Sequence, residues 1–422
     1  MAHSILTPTV ITNEALRILH DNLNFIGNCN RQYDDRFAQS GAKIGQTLNI
    51  RMPSKYTVRT NATFAGQDHI ERSTPLSVSS QYGVDISFTT VDLTMSLDNF
   101  SERFIKPAMS VLATRLESDA LTAAYKLVPN YVGVTNADIT YKVFQQGGQV
   151  LTENLAPAMD RVALLNPRSR VEFMDATKTL FQDQSNLAKQ YREGMMGRTG
   201  GFTVFENNLL PQHTRGSLAG SAVTSGTTLG VSTTANSWTS NTTISVTGAT
   251  SATTLKAGDV ITLGSSTAGV FDVHPETKAN LGRLKKFVVQ ADVTLTTAAN
   301  NYAVVVRPPL IYGTGNAFKT CVLSGVSDTS GLTVTAFGVA STAYGQNLQF
   351  HKDAFVFATA DLEDVTPYGV WGARANMGGI SMRLARQYNI TDDSVPCRID
   401  VLWGFGGLYP EEYAVRSFHQ LT

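Results

Sequence analysis

Residues 98–127, DNFSERFIKPAMSVLATRLESDALTAAYKL, constrain the fold more than any other stretch of this 422-residue chain. Ile105, Met109, Leu112 and Leu116 recur at helical spacing and form one apolar stripe. Glu102, Arg103, Lys106, Arg115 and Glu117 lie mostly off that stripe. The pattern predicts a helix roughly 30 Å or more in length. Asp98 or Ser101 caps its start, and Val128, Pro129 and Asn130 end it. Pro107 falls inside the pattern and either kinks the helix or marks its true first turn. Alone, this is an ordinary amphipathic core helix. Its setting is less ordinary, because a β-rich arm precedes it and two β-rich regions follow.

Such a chain is long enough for two or three domains. Lys plus Arg and Asp plus Glu balance at 34 each, and the sequence pI is about 7.1. That balance gives no ground for a general affinity for nucleic acid or for an anionic membrane. The three cysteines, Cys29, Cys321 and Cys397, are odd in number and far apart, which argues against a disulfide framework or a zinc site. The N-terminus lacks a basic region followed by a long apolar run, and no stretch is apolar enough to span a membrane.

In chain order, residues 1–44 read as an N-terminal arm. Thr12 is an N-cap candidate, and Leu16, Leu19, Leu23 and Ile26 make a narrow stripe. A helix this short needs a surface to lie on, in its own core or on a neighbouring subunit. Residues 45–97 read as a long projecting hairpin: a first strand near Thr47–Met52, a polar tip at 66–72, and a return strand from Tyr82 to Leu93 with Val84, Ile86 and Phe88 on one face. Residues 136–210 mix helix and strand, with a buried strand at Arg161–Leu165, a helix from Ser169 to Gln182 and a strand from Phe202 to Leu210.

From Gly216 to Leu255 there is no charged residue. Short strands are expected at 243–246, 259–263, 286–295, 302–306, 319–323 and 332–336, which predicts an independently folding β-barrel or sandwich over 211–350. For 216–240 disorder is a competing reading. The last section carries strands at 353–359, 378–387 and 397–405, and a final one through Val415 and Phe418.

The chemistry of common enzymes is missing. There is no Walker loop, GxSxG, HExxH or strand-borne GxGxxG, and none of the seven histidines has metal-ligand spacing. Asp361, Glu363 and Asp364, or Asp392 and Asp393, could hold a cation, but acids clustered in a loop are usually just solvated. No catalytic residue, cofactor site or metal site is expected, and weight moves to a structural role.

The order of parts resembles a tailed-bacteriophage major capsid protein, and more closely the gene 5 coat-protein family of short-tailed Salmonella-type phages. The local likenesses are Arg161-Val-Ala-Leu-Leu-Asn-Pro, Lys286-Phe-Val-Val-Gln-Ala-Asp-Val-Thr-Leu and Asn389-Ile-Thr-Asp-Asp-Ser-Val-Pro-Cys-Arg-Ile-Asp-Val-Leu-Trp-Gly. The resemblance implies an α+β, Hong Kong-type capsid fold. Its parts would be an N-terminal arm (1–44), an E-loop hairpin (45–97), a P-domain with spine helix (98–135), an A-domain (136–210 and 351–377), an inserted β-barrel domain (211–350) and P-domain return strands with the C-terminus (378–422). It also implies a virion protein assembled in the bacterial host cytoplasm. Its partners would be itself, as hexamers and pentamers in an icosahedral shell, a scaffolding protein and a portal protein, with weak non-specific contact with packaged double-stranded DNA and no membrane. Two alternatives stand beside it. One is a secreted β-rich adhesin or other surface-structure subunit, favoured by the Ser/Thr/Gly-rich segment; the other is an enzyme with an unrecognised site.

If the chain is a shell subunit, the charged hairpin tip should reach a neighbouring copy. Asp68, Glu71 and Arg72 are its candidate contacts, with Arg103, Arg115 or Arg386 of the neighbour as partners. Pro107 is the candidate hinge of the spine helix.

Overall fold

The computed structural model describes residues 8–21, 23–31, 47–60, 62–64, 66–67, 69–89, 104–133, 139–177, 197–218, 222–225, 229–230, 238–247, 252–296, 300–377 and 379–420. The chain divides into two units. One comprises residues 1–50, 75–121 and 355–408, and the other 51–74, 122–354 and 409–422.

The first unit is built on the strand Ser394–Gly407. One of its edges pairs with Ser80–Thr89, in register from Ser394↔Thr89 to Trp403↔Ser80. Its other edge pairs first with Ile380–Arg386 and then with Phe355–Ala360. Trp371–Met377 completes the sheet beyond Ile380–Arg386, and the N-terminal helix Pro8–Asp21 packs against that outer pair. Phe355 and Phe405 stack at 5.7 Å, with Phe25 edge-on to Phe355, also at 5.7 Å. Gly83 is required by closeness. A Cβ there would lie 2.4 Å from an Asp400 carboxylate oxygen.

Thr12 does not cap the N-terminal helix. That helix begins at Pro8, whose fixed φ suits a first position, and Thr12 is fully buried inside it. The return strand also differs from expectation. Arg72–Ser77, not the strand after it, pairs with Thr47–Met52, while Ser80–Thr89 joins the main sheet. Of the predicted face, Val84 and Ile86 are half-buried between exposed neighbours, and the Phe88 side chain lies outside what is described.

The long helix is α-helical over Lys106–Leu127, preceded by a π turn at Phe104–Ile105. Ile105, Met109, Leu112 and Leu116 are all buried, as the stripe requires. The expected caps Asp98 and Ser101 lie outside the described residues. Pro129 ends the helix by disfavouring helical geometry at Val128. Glu117 differs from the sequence reading, being 1% exposed.

The second unit holds two cores. In one, a mixed sheet runs Tyr131–Val132, Ala414–Gln420, Ala343–His351, Arg161–Leu165, Phe202–Glu206, Arg198–Thr199, with Gln212–Thr214 beside Ala343–Gly345. Helices Tyr141–Glu153 and Pro167–Thr177 cover it through Phe144, Leu151 and Phe173. Thr140 caps the first of these by accepting from Val143 N at 3.3 Å.

The other core lies among residues 218–336 and collects Ile244, Ile261, Phe287, Val304 and Val334. Its sheets have five, three and two strands. The five-stranded sheet runs Val334–Ala336, Val260–Leu263, Phe287–Val289, Asn301–Arg307, Thr242–Thr247. Among the described residues these strands do not close into a barrel. Val223 and Thr224 bridge its two edges, at Thr333 and Val246, without forming a strand of their own. The expected strand 286–295 is two strands, Phe287–Val289 and Val293–Leu295. They belong to different sheets and are separated where Asp292 turns to accept from Ala257 N at 2.7 Å.

Candidate assembly surfaces and buried network

Residues 53–71 of the second unit contain the loop expected to make contacts. Glu71 pairs with Arg51 at 3.3 Å, and both side chains are at least half exposed. Exposed pairs of this kind contribute about 0–1 kcal/mol. Arg72 is not on the exposed tip. It begins a strand, is 8% exposed, donates to Pro53 O at 3.3 Å and lies over the Phe318 ring at 5.7 Å. Asp68 and Arg103 lie outside the described residues.

The loop's exposed apolar side chains had not been singled out from sequence. Val58 is 93% and Phe64 85% exposed. Isolated apolar residues in a polar loop were the available signal.

In the first unit Arg115 pairs with Asp119 one turn on at 2.9 Å and lies over the Tyr82 ring. Tyr82 Oη donates to Asp119 at 2.6 Å, and that bond raises the phenol's pKa. Arg386 stacks over Trp371 at 5.4 Å. Pro107 is the second α-helical residue, in the first turn after the π turn. The hairpin tip between the strands Ile380–Arg386 and Ser394–Gly407 exposes Ile390 and Tyr388.

A buried polar network in the second unit was not legible in sequence, because its members lie up to 291 residues apart. Tyr125 Oη and His213 Nδ1 are 3.3 Å apart, and His213 Nε2 lies 2.8 Å from Asp259 Oδ1. Asp259 also accepts from the backbone N–H of Lys256 at 2.8 Å and of Gly216 at 3.1 Å. Arg416, wholly buried, donates to Gly258 O at 2.7 Å and lies 5.8 Å from the Tyr125 ring centre. Burial lowers its pKa to about 10. Gly258 takes φ +103°, where a side chain would be strained and would meet Tyr125 and His213. A Tyr–His–Asp chain resembles acid–base machinery in composition. Its members are no more than 7% exposed, so a substrate has no access and the network serves the fold.

Lys286 gives a test of burial. Its ammonium donates to Tyr131 O at 2.8 Å, 4.1 Å from that ring's centre, and burial lowers its pKa to about 8. The unfolded lysine holds its proton to about pH 10.4. Between those values the unfolded chain binds more protons, so this group makes stability rise with pH. Below about pH 8 both states are charged and the penalty is full. Lys286→Met should therefore be more stable than the parent at neutral pH and lose part of the rise from about pH 8 to about pH 10. Parallel melting curves across that window would refute the assignment.

Among the described residues no three His, Cys, Asp or Glu side chains gather as a metal site. No described helix is long and apolar enough to cross a membrane.

A family model described as P22 coat protein, gene protein 5, matches residues 6–418. The chain belongs to that family. It is the major capsid protein of a tailed phage, a non-enzymatic virion component whose copies assemble into an icosahedral shell. No curated protein sequence matches it. Among solved structures it is similar to one described as Mycobacterium phage Che8, with 10% identity and TM-score 0.45, covering 94% of this chain and 90% of that one. The capsid of Cyanophage P-SCSP1u is similar at 10% identity and TM-score 0.44, with 90% and 85% covered. The capsid of Ralstonia phage GP4 is similar at 6% identity and TM-score 0.41, with 91% and 86% covered.

Proposed function

We propose that the subunit has a Hong Kong-type capsid fold and enters a precursor shell in the host cytoplasm. A scaffolding protein guides assembly, a portal protein occupies one vertex, and packaged double-stranded DNA touches the inner face weakly. The inserted domain is a β unit of five-, three- and two-stranded sheets in this reading, with Val223 and Thr224 bridging both edges of the largest. Pro107 sits where a bend at the start of the long helix would act.

The observation that carries the assembly reading is the loop within residues 53–71, with Val58 and Phe64 left in water and Glu71 beside the exposed side chains of Arg51 and His69. A neighbouring copy covering that loop would bury the apolar side chains and take up the charge. Mixing the purified chain with a candidate scaffold and imaging by negative stain tests this. Closed shells are expected. Glu71→Lys should cut the yield of shells severalfold while leaving the melting temperature of the unassembled chain within about 1 °C, since an exposed pair is worth so little. Unchanged shell yield would remove Glu71 from the contact.

A further inference from the structure

Five basic side chains of the second unit, Lys55, Arg72, Lys278, Lys285 and Lys319, line one cavity of about 60 Å³. It shares Lys55, Lys278 and Glu412 with a wider cleft of about 580 Å³, which supplies an entrance. Two of the cations have counter-ions. Lys55 donates to Glu412 at 2.8 Å and Lys285 to Asp272 at 2.7 Å. The other carboxylate in the wall, Glu411, is taken by Arg307 at 2.6 Å.

Arg72, Lys278 and Lys319 form no ion pair with a carboxylate among the described residues. Lys278 Nζ donates only to the carbonyls of Pro275 and Lys319, at 2.6 and 3.2 Å. Arg72 is more than nine-tenths buried, and its Nε has no hydrogen-bond partner. Guanidinium carries its charge at every relevant pH. Burial lowers the Lys278 pKa to about 8; the charges of Lys55, Lys285 and Arg72 act in the same direction and that of Glu412 opposes them. Cations that outnumber the carboxylates around one cavity destabilise a fold unless an anion joins them.

We propose that this cavity binds a small dianionic oxyanion of the phosphate class, held by the Arg72 guanidinium and Lys278 Nζ. With three of the lining cations unpaired, a dianion offsets more of the charge than a single carboxylate would. A volume of 60 Å³ takes about four water molecules, enough for one tetrahedral anion and too little for a nucleic-acid strand. Planar donors and a point charge together suit phosphate oxygens.

The test is thermal melting of the purified full chain at neutral pH and matched ionic strength. The salts are inorganic phosphate, chloride and acetate, with a short DNA duplex at equal phosphate concentration. Phosphate should raise the melting temperature over chloride by about 3 °C or more, saturably. Acetate and duplex should not. Lys278→Gln should abolish the phosphate-dependent rise while melting in chloride at or above the parent temperature, because it removes a repelled cation. If that variant does not fold, Arg72→Lys, which keeps the charge and loses the planar fork, should reduce the rise at least severalfold. No rise over chloride, an equal rise with acetate, a rise with duplex alone, or a full phosphate response in both variants would overturn the assignment.

Discussion

Asp259→Ala is expected to lower the unfolding free energy by about 3–5 kcal/mol, the range for breaking a buried charged network by removing one partner. The carboxylate is 2% exposed and holds His213 and the backbone N–H groups of Lys256 and Gly216. It also supplies negative potential to Arg416, whose Nε and Nη1 are buried without hydrogen-bond partners. Truncation would leave those donors unmet together. Asp259→Asn keeps an acceptor but loses the charge, so it should fall between the parent and the alanine variant. Urea denaturation followed by intrinsic fluorescence measures the difference. A loss under about 1 kcal/mol would show that water or local rearrangement replaces the carboxylate.

Glu117→Ala is the second large effect. Glu117 rides on the buried face of the long helix, and its two oxygens accept from Asn24 N at 3.0 Å and Phe25 N at 2.8 Å. Those N–H groups open the short turn Ile26–Asn28, which seats Phe25 and Ile26 in the core. Hydrogen bonds to a charged group contribute about 1.5–3 kcal/mol each, so losing both should cost about 3 kcal/mol or more. The cost should be local. Amide exchange should accelerate for residues 23–31 before the rest of the first unit loosens. Uniform acceleration, or none, would mean that Phe25 and Ile26 hold the segment by apolar contact alone.

Both sites show where sequence reading stops. Ile105, Met109, Leu112 and Leu116 could be read because their burial follows from spacing alone. So could the fully buried strand Arg161–Leu165 and the strands around Ser394–Gly407, whose apolar runs lie between turn residues. Glu117 could not, because periodicity sees a charge near the edge of a stripe and not the two N–H groups brought to it from 92 and 93 residues away. The network of Tyr125, His213, Asp259 and Arg416 fails for the same reason. Sequence alone groups Arg72 with its charged neighbours Asp68 and Glu71, but its strand position turns it onto Phe318. The strand that pairs with Thr47–Met52 is hidden in sequence because Arg72–Ser77 contains Pro75, which reads as a break although it sits in a strand.

The strand Ser394–Gly407 has a mechanical consequence. It is hydrogen-bonded along both edges to three other strands, antiparallel to each. A pull along its axis loads the ladders in shear, so many hydrogen bonds share the force and must fail together. A pull across it would peel them singly. In a closed shell each subunit is tugged by its neighbours at once, and the direction of that tension relative to this strand decides whether the sheet acts as a tie-rod or as a zip.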